Sequence, residues 1–298
     1  MKITILLLLL PCCSPIAATE ATRHTVKVDG HAFAVWEKRA ENPVRTILLL
    51  HGRTWSSIPD FDLVTDKEDL SLMNALTEHG YAVYALDLRG YGGTPRDHTG
   101  WLSPNQAARD LASVLKWVTD HDGVDGKPAL FGWSFGSTIS QLCVQENPDL
   151  VSHLVLYGYW FDPDMTLPEL PDPNKLERKP ATVEAAASDF IVPGSISKEA
   201  VDAYVKACLA ADPARVDVRR SHQFNALDPA LIKVPTLVIH GEHDPYAKPQ
   251  PHARLFTRLG SVDKRWVVIA DGDHAAHLEK SRDRFIEALI GFLGPSKK

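Results

Sequence analysis

Cysteine is scarce in this chain. Four of the 298 residues are cysteine, and two of them, Cys12 and Cys13, sit in an apolar leader. Cys143 and Cys208 belong to no C-x-x-C pair, which removes thiol redox catalysis and leaves two buried thiols, or a disulfide in an oxidising compartment. Strong charge is lacking too. The formal net charge is −6 without any lysine or arginine run, so no basic face exists for a nucleic acid. Phosphate cradles of the G-x-G-x-x-G or G-K-[ST] kind are absent, and the glycine-rich Arg89-Gly90-Tyr91-Gly92-Gly93-Thr94 reads as a structural turn. His240, His243, His274 and His277, with Asp244, lack H-E-x-x-H or any closed ligand spacing, so neither metal nor cofactor is assigned. Apolar runs long enough to span a hydrocarbon core of about 30 Å are missing as well.

With 44% hydrophobic and 23% charged residues, the composition is that of an ordinary globular protein, long enough for one large α/β domain and an insertion. Residues 1–21 carry Lys2, the apolar run Ile3 to Leu10 and small residues through Ala17 and Ala18. That pattern is a secretory signal peptide, which implies a secreted or periplasmic mature protein without stable membrane insertion. A membrane anchor helix and a lipid anchor at Cys12 or Cys13 are the rival readings. Pro11 and the lack of a small residue before Cys12 disfavour the second.

From residue 22 the pattern alternates. His24 to Val28 and His31 to Glu37 flank Asp29-Gly30, an antiparallel hairpin signal. Thr46 to Leu50, Tyr81 to Asp87, Pro128 to Phe131, Val151 to Tyr157, Pro235 to His240 and Arg265 to Ala270 are apolar runs, as expected of strands covered on both faces. Helical periodicity separates them: Lys67 to Glu78 closed by Gly80, a helix from the Ser103-Pro104 start to about Asp120, Phe135 to about Glu146, His252 to Leu259 and Leu278 to Leu293. The expected fold is a mostly parallel, doubly wound α/β sheet with right-handed crossovers. Between Trp160 and Leu231 the rhythm breaks, proline is dense, and only Lys198 to Leu209 is plainly helical. Residues 160–231 are therefore read as a cap over a core of residues 22–159 and 232–298.

The chemistry gathers where strands end. Leu130-Phe131-Gly132-Trp133-Ser134-Phe135-Gly136-Ser137 runs from strand through a G-x-S-x-G turn into a helix, a geometry that exposes a serine hydroxyl. A neutral serine needs a base, and the base needs a carboxylate to orient it. Asp244 and His274, each following a later strand, complete such a set with Ser134.

In these features the chain resembles the α/β-hydrolase family. The matching residues are His51-Gly52, Asp87-Leu88-Arg89-Gly90-Tyr91-Gly92, Gly132-Trp133-Ser134-Phe135-Gly136, Gly241-Glu242-His243-Asp244-Pro245 and Asp273-His274-Ala275-Ala276-His277-Leu278-Glu279. Their order, serine then acid then histidine, is the family's own. The resemblance implies Ser134 as nucleophile, His274 as base and then acid, and Asp244 as orienting acid. It implies an oxyanion hole from the backbone N–H groups of Arg53 and Phe135. Asp273 stands where relatives usually carry glycine, so it competes with Asp244 as the acid; Asp162 and Asp164 are further candidates. Arg53 stands where many relatives carry an apolar residue, and its guanidinium either binds a substrate anion or faces solvent. His51 reads as a structural residue beneath the oxyanion loop.

The leading functional expectation is a serine hydrolase that cleaves a small carboxylic ester or lactone through an acyl-enzyme. A proline-type aminopeptidase is the alternative and would use cap acids such as Glu184 or Asp189 to hold an ammonium. A non-catalytic binding protein on the same scaffold is the alternative of another class. Trp133, Trp160 and Phe161 are the candidates for the substrate pocket, with core packing as the other reading of the tryptophans.

Overall fold

Unbroken apolar strands demand cover on both faces, and the computed structural model, which describes residues 20–172 and 175–294, supplies it. The signal-peptide reading and Cys12 and Cys13 fall on residues outside those described, apart from Glu20 and Ala21. In chain order the elements are β1 (Thr22–Val28), β2 (His31–Arg39), β3 (Arg45–Leu50), α1 (Ser57–Phe61), α2 (Leu72–Glu78), β4 (Tyr81–Leu86), β5 (Trp101–Leu102) and α3 (Pro104–His121). They continue with β6 (Ala129–Trp133), α4 (Phe135–Glu146), β7 (Leu154–Tyr157), α5 (Val183–Ala187), α6 (Lys198–Ala211) and β8 (Asp217–Val218). The last four are β9 (Thr236–Gly241), α7 (Pro249–Arg258), β10 (Lys264–Ile269) and α8 (Arg282–Leu293).

Eight strands form one sheet in the order β1-β2-β4-β3-β6-β7-β9-β10. The pairs from β4 through β10 are parallel, while β1 and β2 run antiparallel at one edge. Asp29 (φ 48°) and Gly30 (φ 79°) turn the β1–β2 hairpin as expected of that dipeptide. Successive residues of each central strand feed opposite cores. Leu48 and Leu50 pack on one face with α3 and α4; Ile47 and Leu49 pack on the other with α2 and α8.

Two helix starts and one cap differ from the sequence reading. Helix α2 starts at Leu72, because the Ser71 side chain caps it by accepting the Asn74 N–H at 2.9 Å, and residues 65–70 close a turn of their own. Helix α8 starts at Arg282, after a run of turns through residues 275–281. Ser103 precedes α3 without capping it through its side chain.

The segment from 160 to 231 contains α5, α6 and the two-residue strand β8, which pairs in parallel with β5. Tyr204, Cys208 and Ala186 of this segment bury against Trp55, Leu63 and Leu278. Cys143 and Cys208 are buried free thiols in different clusters.

Candidate active site

The turn between β6 and α4 is built by two absent side chains. A Cβ on Gly132 would stand 2.4 Å from the Gly136 carbonyl oxygen, and one on Gly136 would stand 2.5 Å from the carbonyl oxygens of Leu50 and His51. Only glycine lets the strand fold back onto its helix at that range. Ser134 at the apex adopts φ 54° and ψ −115°, an arrangement that L-residues avoid at a cost of about 1–3 kcal/mol. Its N–H donates to the Tyr157 carbonyl at 2.8 Å, which holds the turn against β7.

Asp244 and His274 come from the loops after β9 and β10. Those loops are tied together by Glu242 N–H to Ile269 O and His243 N–H to Gly272 O, both at 2.9 Å. His274 Nδ1 lies 2.8 Å from Asp244 Oδ2, with both side chains buried. The other carboxylate oxygen, Oδ1, accepts the Tyr246 and Ala247 N–H groups at 2.9 and 3.3 Å. Burial alone would raise the Asp244 acid; the hydrogen bond and charge of His274 with the Tyr246 N–H outweigh it and hold the carboxyl below its ordinary value. Gly158 runs directly past this pair, since a Cβ there would lie 3.0 Å from His274 Cε1 and 3.3 Å from Asp244 Oδ2.

Ser134 and His274 open on one cavity of about 430 Å³, within the range of small-molecule sites. Arg53, Phe135 and Trp160 line it with them. Among the described residues, the N–H groups of Arg53 and Phe135 have no acceptor within the protein. Thr54, beside Arg53, is held at φ 106°. Two strained non-glycine residues thus share one cavity wall, where strain accompanies a preset geometry.

Two pocket candidates are corrected. Trp133 does not line the cavity; it is buried, and its Nε1–H donates to the His274 carbonyl at 2.9 Å. Tyr157 donates to the same oxygen at 2.8 Å. As the last residue of β6, Trp133 packs in the core with Phe131 and Tyr157 and through its Nε1–H hydrogen bond fixes the backbone of the histidine. Phe161 is buried too, packed between Trp160 and Phe224.

The competing acids are engaged elsewhere. Asp162 pairs with Arg254, and Asp164 pairs with Arg254 and Arg258. Asp273 is fully buried and reaches the cap: its Oδ2 accepts the Ile191 and Val192 N–H groups at 2.7 and 2.9 Å, and its Oδ1 accepts Ala275 N–H at 2.9 Å. The residue that departs from the family pattern therefore fastens Ile191 and Val192 of the 160–231 segment beside the histidine loop.

Other histidines are engaged locally, although the buried Nε2 of His240 has no hydrogen-bond partner among the described residues. His51 Nε2 accepts the Leu88 N–H at 3.0 Å, so its Nδ1–H donates to Gly52 O at 2.7 Å. His277 sits between Asp60 O (2.9 Å) and the Tyr157 hydroxyl (3.2 Å), and burial lowers its pKa to about 3. His240 lies against its own loop at Gly241 O, while His243 is exposed beside Glu242 and Asp271.

Residues that sequence reasoning did not place include Arg215, Tyr246 and Phe224 on the cavity wall. No motif marks them: Arg215 and Phe224 come from the 160–231 segment and Tyr246 from the loop after β9, and long-range packing brings them together. Asp189, named only for the aminopeptidase alternative, also lines the cavity. The Tyr204 hydroxyl lies between it and Asp60, at 3.1 and 3.0 Å, and burial lifts the Asp189 acid to about 6. Glu184 is exposed on α5 and is not part of the wall.

One pH effect follows from the histidine loop. Glu279 Oε2 accepts the Asp273 N–H at 2.9 Å, and burial raises this acid from 4.5 to about 8. The folded chain keeps a proton that the unfolded chain loses above pH 4.5, so this stabilisation is complete at low pH and is lost as pH rises through 8. His277, depressed to about 3, His252, depressed to about 4, and Asp189 all change below about pH 6.5, outside that window, while Asp60, which burial raises well above its ordinary value, acts in the same direction as Glu279. Urea unfolding should lose about 2 kcal/mol between roughly pH 6.5 and 8.5. Glu279→Gln should flatten that dependence; an unchanged slope would remove the assignment.

Known proteins share this architecture. The family model described as serine aminopeptidase S33 matches residues 41–281. No curated protein matches. Among solved structures, the thioesterase domain from the curacin biosynthetic pathway is 15% identical with a TM-score of 0.63, covering 91% of this chain and 100% of that one. A serine hydrolase involved in carbazole degradation is 19% identical with a TM-score of 0.63, covering 92% and 98%. A hydrolase from Pseudomonas aeruginosa PA01 is 18% identical with a TM-score of 0.65, covering 93% and 99%. At such identities the likeness is one of fold, and function must be argued from the site.

Proposed function

Because this chain belongs to the serine aminopeptidase S33 family of α/β-hydrolases, we propose that it is a secreted or periplasmic serine hydrolase that cleaves a small carboxylic ester through an acyl-enzyme. The observation that carries this reading is the Asp244–His274 pair, 2.8 Å apart, with its imidazole on the same cavity as the strained Ser134. In the proposed cycle His274 takes the Ser134 proton as the hydroxyl attacks the ester carbonyl, then returns it to the leaving alkoxide. Asp244 holds the imidazole by Nδ1 and stabilises its cation. The Arg53 and Phe135 N–H groups, free of protein acceptors, would receive the oxyanion. Water attack on the acyl-enzyme, with His274 again as base, frees the acid. Residues 160–231 act as the cap that shapes the cavity.

The aminopeptidase reading rests on Asp189, the carboxyl on the cavity wall. Ester cleavage is favoured over it because that carboxyl is already engaged by Tyr204, and because two arginines, Arg53 and Arg215, share the wall and would repel an ammonium. The test compares 4-nitrophenyl acyl esters of graded chain length and lactones with a proline arylamide. Ester turnover should exceed arylamide turnover by about 100-fold in kcat/KM. Preference for the arylamide would reverse the assignment, and failure of a fluorophosphonate to label Ser134 would favour a binding protein.

A further inference from the structure

Resting on ester cleavage at Ser134, we propose that the substrate is an anionic ester, one whose acyl or alcohol part ends in a free carboxylate held between Arg53 and Arg215. Both arginines line the Ser134 cavity and also the smaller cavity of about 170 Å³ that adjoins it. They therefore border both spaces. Arg215 Nη2 lies 3.4 Å from Thr54 Oγ1, which places its guanidinium next to the residue that follows Arg53. The buried Tyr91 phenol gives a second measure of their closeness. Burial pushes it up to about 12, and the charges of Arg53 and Arg215 both pull against that rise.

These two guanidiniums are the unneutralised ones at the site. Neither has an ion-pair partner among the described residues. The nearby carboxylates are already committed: Glu177 to Lys179 at 3.1 Å and Asp217 to Arg219 at 2.9 Å. Asp189, the acid on the Ser134 cavity itself, is bonded to Tyr204. Arg89 and Arg220 are matched by Asp110 and Asp172, while Arg96 and Arg282 are held by backbone carbonyls, of Ala214 and of Ser71. Two cations left unmatched on one wall of a substrate cavity leave room for a charge from the ligand, and the guanidinium fork suits a carboxylate.

Arg215 is also held in place by its backbone. Its N–H donates to Lys179 O at 2.9 Å, and its carbonyl accepts Arg96 Nη2 at 3.2 Å. The following residues enter β8, which pairs with β5. Arg53 is fixed by the turn after β3, and exchanging its side chain leaves its N–H in place.

The experiment compares the mono-4-nitrophenyl ester of a dicarboxylic acid with the monocarboxylic ester of equal chain length. The wild type should prefer the acidic ester by about 30-fold in kcat/KM, with the preference shrinking as salt screens it. In Arg215→Ala the acidic-to-neutral ratio should fall about tenfold, Arg215→Lys should restore part of it, and Arg53→Ala with Arg215→Ala should abolish it. Both arginines are exposed, so these variants should fold. Equal turnover of the two esters by the wild type, or a preference unchanged in the double variant, overturns the proposal while leaving Ser134 chemistry standing. Loss of turnover on both esters in the wild type would instead remove the reading on which it rests.

Discussion

Replacing Ser134 by alanine should lower kcat/KM for the preferred ester by about 10⁵-fold, equivalent to roughly 7 kcal/mol of transition-state stabilisation. The size follows from what the change removes. Without the hydroxyl there is no acyl-enzyme, and only the cavity and the free N–H groups of Arg53 and Phe135 remain to speed attack by water. The fold should tolerate the change, because alanine keeps the Cβ and because the backbone bond from residue 134 to Tyr157 O does not involve the side chain. Equal thermal stability beside lost turnover and lost fluorophosphonate labelling is the expected result. A loss of less than tenfold would show that another group performs the attack.

The second large effect separates two aspartates. Asp244→Asn should cost about 10⁴-fold in kcat with little change in folding. Oδ1 of Asp244 accepts two backbone N–H groups, so an asparagine would turn its carbonyl there and present its NH2 to His274 Nδ1. An N–H facing Nδ1 forces the imidazole proton onto the nitrogen that must receive the serine proton. Asp273→Asn meets a different neighbourhood. Both of its oxygens accept backbone N–H groups, Oδ2 from Ile191 and Val192 and Oδ1 from Ala275, so an amide would set donor against donor at one of them. The expected cost is about 1–3 kcal/mol of stability, with kcat within about tenfold of wild type. If Asp273→Asn suffered the larger catalytic loss, the acid would have to be reassigned.

Much of the scaffold could be read from residue order. Strands such as Thr46 to Leu50 are apolar without alternation because helices cover both faces, and Leu48 and Ile47 do feed opposite cores. The elbow was legible because Gly132 answers to a local contact with Gly136 four residues on, whereas Gly136 makes room for the distant Leu50 and His51 carbonyls. Helix starts were less legible. Lys67 to Leu70 have helical spacing, yet Ser71 captures the Asn74 N–H and sets the start of α2 at Leu72. Trp133, for which core packing stood beside the pocket reading, and Phe161 both prove buried, because aromatic residues near a serine look alike in sequence whether they face ligand or core.

The sequence by itself determined the alternating sheet, the serine at a strand-to-helix turn, and the order of serine, acid and histidine, since each depends on neighbours a few residues away. Tertiary structure alone decided which carboxylate meets His274, that Asp273 fastens Ile191 and Val192, and that Arg53 and Arg215 share a wall. Those pairings join residues between 30 and 162 positions apart, by difference of their numbers. Contacts at such range are selected by packing and by the competition of every buried N–H and carboxylate for a partner, which no local pattern records.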